Sequence, residues 1–117
     1  MTILPEILSQ QCSDSSCILQ LRLQPELYYF QGHFPDMPVL PGVVQVDWAV
    51  AFSRQYLHIP QNWPVAQLEV LKFQQLLLPN MQVELALQRK STDKCLFSYQ
   101  SSQGQHASGR ILFKVSA

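Results

Sequence analysis

Charge is scarce in this sequence, and the charge that is present cancels. Eight lysine and arginine residues balance eight aspartate and glutamate residues, and charged residues make up only 14% of the 117 positions. A net charge of zero provides no basic field that could hold a phosphate backbone or an anionic membrane surface. We therefore predict no nucleic-acid partner. Sixteen glutamines, as many as all charged residues together, cover the polar faces instead.

Long apolar runs and cysteine motifs are also missing. No stretch approaches the roughly 18 apolar residues of a membrane-spanning helix, and the first residues carry no positively charged leader. The three cysteines are an odd number without Cys-x-x-Cys spacing, and no histidine cluster completes a metal site. We therefore expect a cytoplasmic protein without membrane span, metal or cofactor, whose three cysteines, Cys12, Cys17 and Cys95, are reduced structural thiols.

The sequence does contain enough apolar residues, 47% of the chain, to bury the core of one domain spanning residues 1–117. Apolar residues at helical spacing predict one helix from Gly42 to about Ile59, ended by Pro60. Because its apolar residues extend nearly all round, we expect this helix to be buried. Strand-like alternation predicts five strands, and the aromatic segment 27–30 is predicted to be extended. The strands are expected at 18–24, 65–75, 82–89, 94–101 and 106–115.

This order of elements predicts an α+β fold in which a five- or six-stranded antiparallel sheet curls around one long central helix. Such a sheet has edges. In so short a chain, edges and residual apolar surface are commonly covered by a second copy, so a homodimer is expected.

A proline-rich loop directly before the predicted helix contains the most informative residues. Pro35, Pro38 and Pro41 fix the backbone of a stiff loop that also carries His33, and Asp47 lies on the first turns of the helix. A helix that starts at Gly42 presents unpaired backbone N–H groups to its surroundings. A histidine base, a carboxyl acid and a backbone N–H at a carbonyl oxygen are what reversible dehydration next to a thioester requires.

Each of these residues also has a plain structural interpretation. Taken singly, His33 is better interpreted as a loop histidine that bonds a nearby carbonyl, and Asp47 as an acid favoured by the helix dipole. The constellation is therefore specific only when its members are taken together.

Residues 32–47, GHFPDMPVLPGVVQVD, resemble the G-H-F-P-x-x-P-x-x-P-G-x4-D/E signature of the 3-hydroxyacyl-acyl carrier protein (ACP) dehydratases. Residues 71–80 are similar to that family's K-F-x5-P-G strand pair, and the resemblance covers about residues 20–115. It implies the hotdog fold. It also implies dehydration of 3-hydroxyacyl thioesters to trans-2-enoyl thioesters, with the substrate carried on the phosphopantetheine arm of ACP. The Asp47-Trp48-Ala49 sequence and the many glutamines look more like the small aryl polyene (ApeI-like) dehydratases than like housekeeping fatty-acid enzymes.

The resemblance implies a role for each residue of the constellation. His33 would be the base, Asp47 the acid that helps the hydroxyl leave, and the Gly42 amide the donor to the thioester carbonyl. In the family the histidine and the acid come from two chains, so a homodimer or a hotdog heteromer is implied. Apolar residues are the candidates for an acyl tunnel: Phe30, Phe34, Val43, Trp48, Phe73 and Leu76.

Two departures from the family pattern keep alternatives open. Position 51 is Ala51 where the family usually has glutamine, so a hydrogen bond to the carboxylate of Asp47 is missing. Asn80 replaces the usual glycine after Pro79, but asparagine tolerates the left-handed backbone region, so the turn is expected to survive. The alternatives are a catalytically silent hotdog subunit that binds ACP or a partner dehydratase, and a hotdog acyl thioesterase.

Overall fold

A computed structural model describes residues 1–31 and 38–117 of the chain, so His33 and Phe34 lie outside the described residues. The described elements are a fifteen-residue helix, six strands and a short 3-10 helix. In chain order they are β1 (Glu6–Cys12), β2 (Ser16–Arg22), the 3-10 helix (Tyr28–Phe30), α1 (Gly42–Tyr56), β3 (Val65–Phe73), β4 (Gln82–Ser91), β5 (Lys94–Ser101) and β6 (Gly104–Phe113).

The six strands form one antiparallel sheet in the order β1-β2-β4-β5-β6-β3. Along β2, β4 and β5, buried residues alternate with more exposed ones, which is the pattern of a sheet that covers a core with one face. The predicted α+β architecture, one helix against an antiparallel sheet, is confirmed. No helix in the described part of the chain is long and apolar enough to cross a membrane.

The helix α1 starts and ends where the local sequence requires it. Pro41 takes the N-cap position with an extended backbone, and His58, just past the helix, adopts a left-handed conformation with φ 62°. Such a residue after the last turn is a common helix stop, and the following Pro60 prevents continuation. The helix therefore ends at Tyr56, three residues before the predicted boundary.

One face of α1 packs onto the sheet, and the other is exposed. The buried positions of the helix are Val44, Gln45, Val46, Trp48, Ala49, Phe52 and Ser53. Val43, Asp47 and Ala51 follow one another at intervals of four and form an exposed stripe. The prediction of an all-round buried helix is therefore correct for one face only.

Three local features differ from what the sequence predicted: the segment 27–30, strand β1 and the pairing of Cys12 with Cys17. Segment 27–30 is compact rather than extended, because Phe30 N–H donates to Leu27 O (3.0 Å) and Gln31 N–H to Tyr28 O (3.0 Å). Strand β1 was not predicted, because all its residues are exposed and it shows no alternation. It pairs with β2 and places Cys12 opposite Cys17, where they form a disulfide. The prediction of reduced thiols is therefore wrong for this pair, and only Cys95 is a free, buried thiol.

The turn at Asn80 survives the loss of glycine, as predicted. Asn80 has φ 70°, in the left-handed region, and its N–H donates to Leu23 O at 2.7 Å. Asparagine is one of the few residues that adopt this backbone conformation at low cost.

Candidate functional site

A cleft of about 370 Å³ lies where α1 begins, between the segment before the helix and the end of β3. Gly42 forms the start of its helical wall, and the ring of Phe73 lies against that start. The lining residues are Val39, Leu40, Pro41, Gly42, Gln45, Phe73, Gln74, Gln75 and Leu76. Among the six tunnel candidates from the sequence, this cleft includes Phe73 and Leu76.

The helix start supplies unpaired hydrogen-bond donors to this cleft. Pro41 provides no side-chain cap, and the first helical bonds run from the N–H groups of Val44 and Gln45 to Pro41 O (3.1 and 3.2 Å). Among the described residues, no backbone or side-chain acceptor takes the Gly42 N–H. Unsatisfied N–H groups at a helix N-terminus attract an anion or a carbonyl oxygen that develops negative charge.

Gly42 has no side chain for a steric reason. A Cβ atom at this position would lie 2.9 Å from Cε1 of Phe73, closer than real Cβ atoms come to another heavy atom. The glycine lets the aromatic ring of β3 lie directly against the start of α1, and it thereby keeps one wall of the cleft apolar.

The other wall is held by a buried histidine that the sequence analysis left without a role. His106 is fully buried, and its Nδ1 donates to Leu76 O (3.1 Å), since a carbonyl can only accept. Its Nε2 therefore accepts the Ser101 hydroxyl at 2.6 Å. The His106 carbonyl also accepts the N–H of Gln74 at 2.8 Å. These bonds tie the lining segment 74–76 to the hairpin between β5 and β6.

Asp47 lies on the exposed stripe of α1 in the single chain. Its carboxylate makes no ion pair or hydrogen bond within the part of the chain that the structure describes. Asp47 does not line the cleft at Gly42. The structure thus brings Gly42 to a cleft and leaves Asp47 on open surface of the same helix.

The remaining site candidates occupy different environments. Trp48 is 2% exposed, and its Nε1 donates to Ile3 O at 3.0 Å. Phe30 is also buried in the core, whereas Val43 is 69% exposed on the helix stripe. His33 and Phe34 lie outside the described residues.

Gln45 is a residue of the cleft that the sequence analysis missed. Its side chain is only 4% exposed, its Nε2 donates to Leu40 O at 3.1 Å, and its Oε1 has no donor among the described residues. The available signal was a glutamine between two valines, one helical turn after Gly42. Sequence alone does not reveal whether such a side chain finds a partner.

A second, larger groove of about 500 Å³ lies on the outer face of the sheet. It is lined by outward-facing residues of the strands, such as Ile18, Ala86 and Ser98, and its only ionisable lining side chain is Lys72. The smaller cleft at Gly42 is the better candidate site, because the Gly42 N–H has no acceptor among the described residues and a carbonyl oxygen that develops negative charge needs such a donor. In the described part of the chain, no three His, Cys, Asp or Glu side chains gather as a metal site would require.

Comparison with known proteins identifies relatives along almost the whole chain. The family model for the ApeI-like proteins, described as ApeI dehydratase, matches residues 9–110. The dehydratase heterocomplex ApeI:P from Xenorhabdus doucetiae contains a chain 30% identical to this one. That match covers 97% of this chain and 100% of the other, with a TM-score of 0.87. An uncharacterised protein from Erwinia carotovora subsp. atroseptica is also 30% identical, covering 96% and 97% of the two chains, with a TM-score of 0.81.

More distant relatives share the fold or a short segment. The dehydratase domain of PpsC from Mycobacterium tuberculosis is 18% identical, with a TM-score of 0.70, and the match covers 95% of this chain and 44% of that one. A 3-hydroxyacyl-ACP dehydratase, FabZ of Clostridium novyi, is 65% identical over 20 residues. That match spans 17% of this chain and only 14% of the length of the curated relative. The hotdog fold inferred from the sequence resemblance is confirmed by these structural neighbours.

Proposed function

The chain belongs to the ApeI-like dehydratase family, and from this premise we propose that it dehydrates 3-hydroxyacyl thioesters carried on ACP to trans-2-enoyl thioesters. The observation that carries the proposal is the cleft at the start of α1, where the Gly42 N–H has no acceptor among the described residues and Phe73 and Leu76 supply apolar surface. A thioester carbonyl needs such a donor, and an acyl chain needs such surface.

The proposed reaction uses three groups of the protein. The Gly42 amide donates to the thioester oxygen, which stabilises the negative charge that develops when a proton leaves the neighbouring carbon. His33 takes that proton, because a neutral imidazole nitrogen is a base that can accept it. Asp47 gives its proton to the 3-hydroxyl group, which departs as water while the carbon–carbon double bond forms.

The exposed position of Asp47 supports a site shared between two chains. A carboxylate on the surface of α1 is accessible to a second protomer. In our proposal His33 and Gly42 of one protomer meet Asp47 of its partner. The partner is a second copy or another hotdog chain. The substrate arrives on the phosphopantetheine arm of ACP, and the pathway is fatty-acid-like or polyene biosynthesis.

A steady-state assay tests the proposal directly. We offer purified protein a 3-hydroxyacyl-ACP thioester and follow the absorbance of the conjugated enoyl product. His33→Ala and Asp47→Asn are each expected to lower turnover by roughly 100-fold or more. The matched controls are His58→Asn, an exposed histidine whose left-handed backbone suits asparagine, and Asp14→Asn, an exposed aspartate. The controls should retain wild-type rates, and full activity of His33→Ala would contradict the proposal.

Mixing the two inactive variants tests whether the site is shared. If His33 and Asp47 come from different protomers, a mixed dimer contains one site with both changes and one intact site. Random mixing then restores roughly a quarter of wild-type activity. A site built within one chain gives no recovery.

A silent partner subunit is the second candidate function. The structural relative from Xenorhabdus doucetiae is part of a dehydratase heterocomplex, and Ala51 stands where the family usually has glutamine. Such a subunit would show no turnover alone and would raise the activity or solubility of a partner dehydratase. A thioesterase, in contrast, would release free thiol without forming the conjugated product.

A further inference from the structure

The side chain of Gln45 is held in one orientation inside the protein. Its backbone N–H donates to Pro41 O (3.2 Å), and its backbone carbonyl accepts the Tyr99 hydroxyl (2.6 Å). Its Nε2 donates to Leu40 O at 3.1 Å. If the side-chain amide were turned over, Oε1 would face Leu40 O, and two acceptors cannot bond each other. The bond to Leu40 O therefore fixes Nε2 on the side of that carbonyl and Oε1 on the opposite side.

Oε1 of Gln45 is a buried hydrogen-bond acceptor that has no donor among the described residues. Buried polar atoms in native proteins are nearly always hydrogen-bonded, so this acceptor calls for a partner that the described residues do not supply. The residue is 4% exposed and lines the cleft at the helix start. A ligand in that cleft is therefore the candidate source of the missing donor.

The position of Gln45 relative to Gly42 narrows the chemistry of this donor. Residues three apart on a helix are neighbours, with Cβ positions about 5–6 Å apart. A thioester whose carbonyl accepts the Gly42 N–H offers two kinds of donor within a few bonds, its 3-hydroxyl and the first amide N–H of the arm beyond sulfur. In the proposed function the 3-hydroxyl group interacts with Asp47. The amide N–H of the arm is therefore the donor that remains for Gln45.

We propose that Gln45 is a substrate-binding residue whose Oε1 accepts a hydrogen bond from the amide N–H of the phosphopantetheine arm next to the thioester sulfur. This inference rests on the proposed function for the identity of the ligand. It adds a contact to the carrier arm, so it concerns recognition of the thioester rather than proton transfer.

Binding of two matched ligands tests the proposal without requiring turnover. The first ligand is a saturated acyl N-acetylcysteamine thioester, which carries the amide. The second is identical except that an ester oxygen replaces the amide N–H. We expect wild-type protein to bind the amide ligand roughly five- to tenfold more tightly in calorimetry. Gln45→Met, which keeps the length of the side chain but lacks the acceptor, should bind both ligands equally.

The controls separate a contact to the ligand from a structural role. Gln74→Met removes an exposed glutamine that lines the same cleft, and it should preserve the preference for the amide. Urea unfolding of each variant verifies that it folds. If Gln45→Met weakens both ligands by the same factor, the residue has only a structural role and the proposal is wrong.

The remaining outcomes distinguish this inference from the proposed function. If wild-type protein shows no amide preference, the inference fails even when dehydration is observed. A preference for the amide in a protein that does not dehydrate supports the inference and contradicts the reaction. A second ligand pair consists of a 3-hydroxyacyl thioester and the same thioester without the 3-hydroxyl group. If Gln45→Met abolishes a binding preference within this pair instead, the donor is the hydroxyl group, and our assignment to the arm is overturned.

Discussion

Two of the three glycines that the structure describes, Gly42 and Gly109, lie where a Cβ atom would collide with an aromatic ring, and the two collisions differ in kind. A Cβ at Gly42 would meet the outer end of the Phe73 ring, and Phe73 is 52% exposed. A Cβ at Gly109 would lie 2.5 Å from Leu71 Cδ2 and 2.8 Å from Phe97 Cε1, and Phe97 is buried. The first ring has room to move and the second does not.

The same glycine-to-alanine change should therefore affect stability at Gly109 and ligand binding at Gly42. Gly109→Ala overpacks the core and is expected to lower the free energy of unfolding by about 1–3 kcal/mol. Gly42→Ala should leave that free energy within about 1 kcal/mol of wild type, because alanine also favours the helix. It should instead impair thioester binding, since the displaced Phe73 ring reshapes the cleft.

Urea unfolding and ligand calorimetry on the two variants check this pair. A Gly42→Ala protein that binds as well as wild type would show that the close approach of Phe73 is irrelevant to the cleft. A Gly109→Ala protein of wild-type stability would show that Leu71 relaxes freely.

The buried hydroxyl group of Tyr99 makes the stability of the protein depend on pH in the alkaline range. Burial raises the pKa of Tyr99 well above its usual value of about 10. Burial also raises the pKa of the Cys95 thiol. Above the pKa of an unfolded tyrosine, the unfolded chain releases a proton that the folded chain retains. The contribution of Tyr99 to the free energy of unfolding is therefore fully present below about pH 10 and decreases as the pH rises further.

Replacing the buried tyrosine should weaken this alkaline destabilisation. We expect the wild-type free energy of unfolding to fall above about pH 10, by up to about 1.4 kcal/mol per pH unit for one group. Tyr99→Phe should fall less steeply, although it is less stable at neutral pH because it lacks the bond to Gln45 O. Urea titrations between pH 8 and pH 11 measure both slopes. Tyr28→Phe, at an exposed tyrosine, is the control, and equal slopes for the two variants would contradict the argument.

At the scale of elements, the sequence predicted those structures whose signal is local. The helix start was predictable because Pro41 and Gly42 precede apolar residues at helical spacing, and strands β2, β4 and β5 show clear alternation. Strand β1 was not predictable, because all its residues are exposed and the sequence therefore shows no alternation of apolar and polar residues. The compact turn at 28–30 was missed because aromatic residues favour strands in general, whereas its own backbone hydrogen bonds decide the conformation.

The candidate site was predictable to a similar extent. Gly42 follows from the helix start, and Phe73 and Leu76 follow from their apolar character next to a strand end. The free acceptor of Gln45 and the support from His106 depend on which groups lie nearby in three dimensions. Hydrogen-bond satisfaction is a property of tertiary structure, and no pattern along the chain reports it.

At the scale of the whole molecule, the two edges of the sheet are β1 and β3. Strand β3 is exposed over nearly all its length, although it is rich in apolar residues. The exposed large apolar side chains from β3 to the following turn are Val65, Leu68, Val70, Leu71, Phe73, Leu76 and Leu78. A continuous apolar edge of this kind marks an interface with another chain. It also adjoins the cleft, because Phe73 and Leu76 belong to both.

We therefore expect the chain to associate through β3, as a homodimer of 13.4 kDa protomers or with another hotdog subunit. Val70→Glu places a charge on the most exposed of the large apolar residues of β3, 61% exposed, and should shift the protein to monomers. Leu8→Glu makes the same kind of change on β1, at a residue 44% exposed, and should leave the association intact. Sedimentation equilibrium reports the masses, and the enoyl assay reports whether the monomer is inactive, as a shared site requires. Dissociation by Leu8→Glu alone would move the interface to β1, whereas a monomeric wild-type protein would exclude the homodimer and leave a heteromeric partner as the means of completing the site.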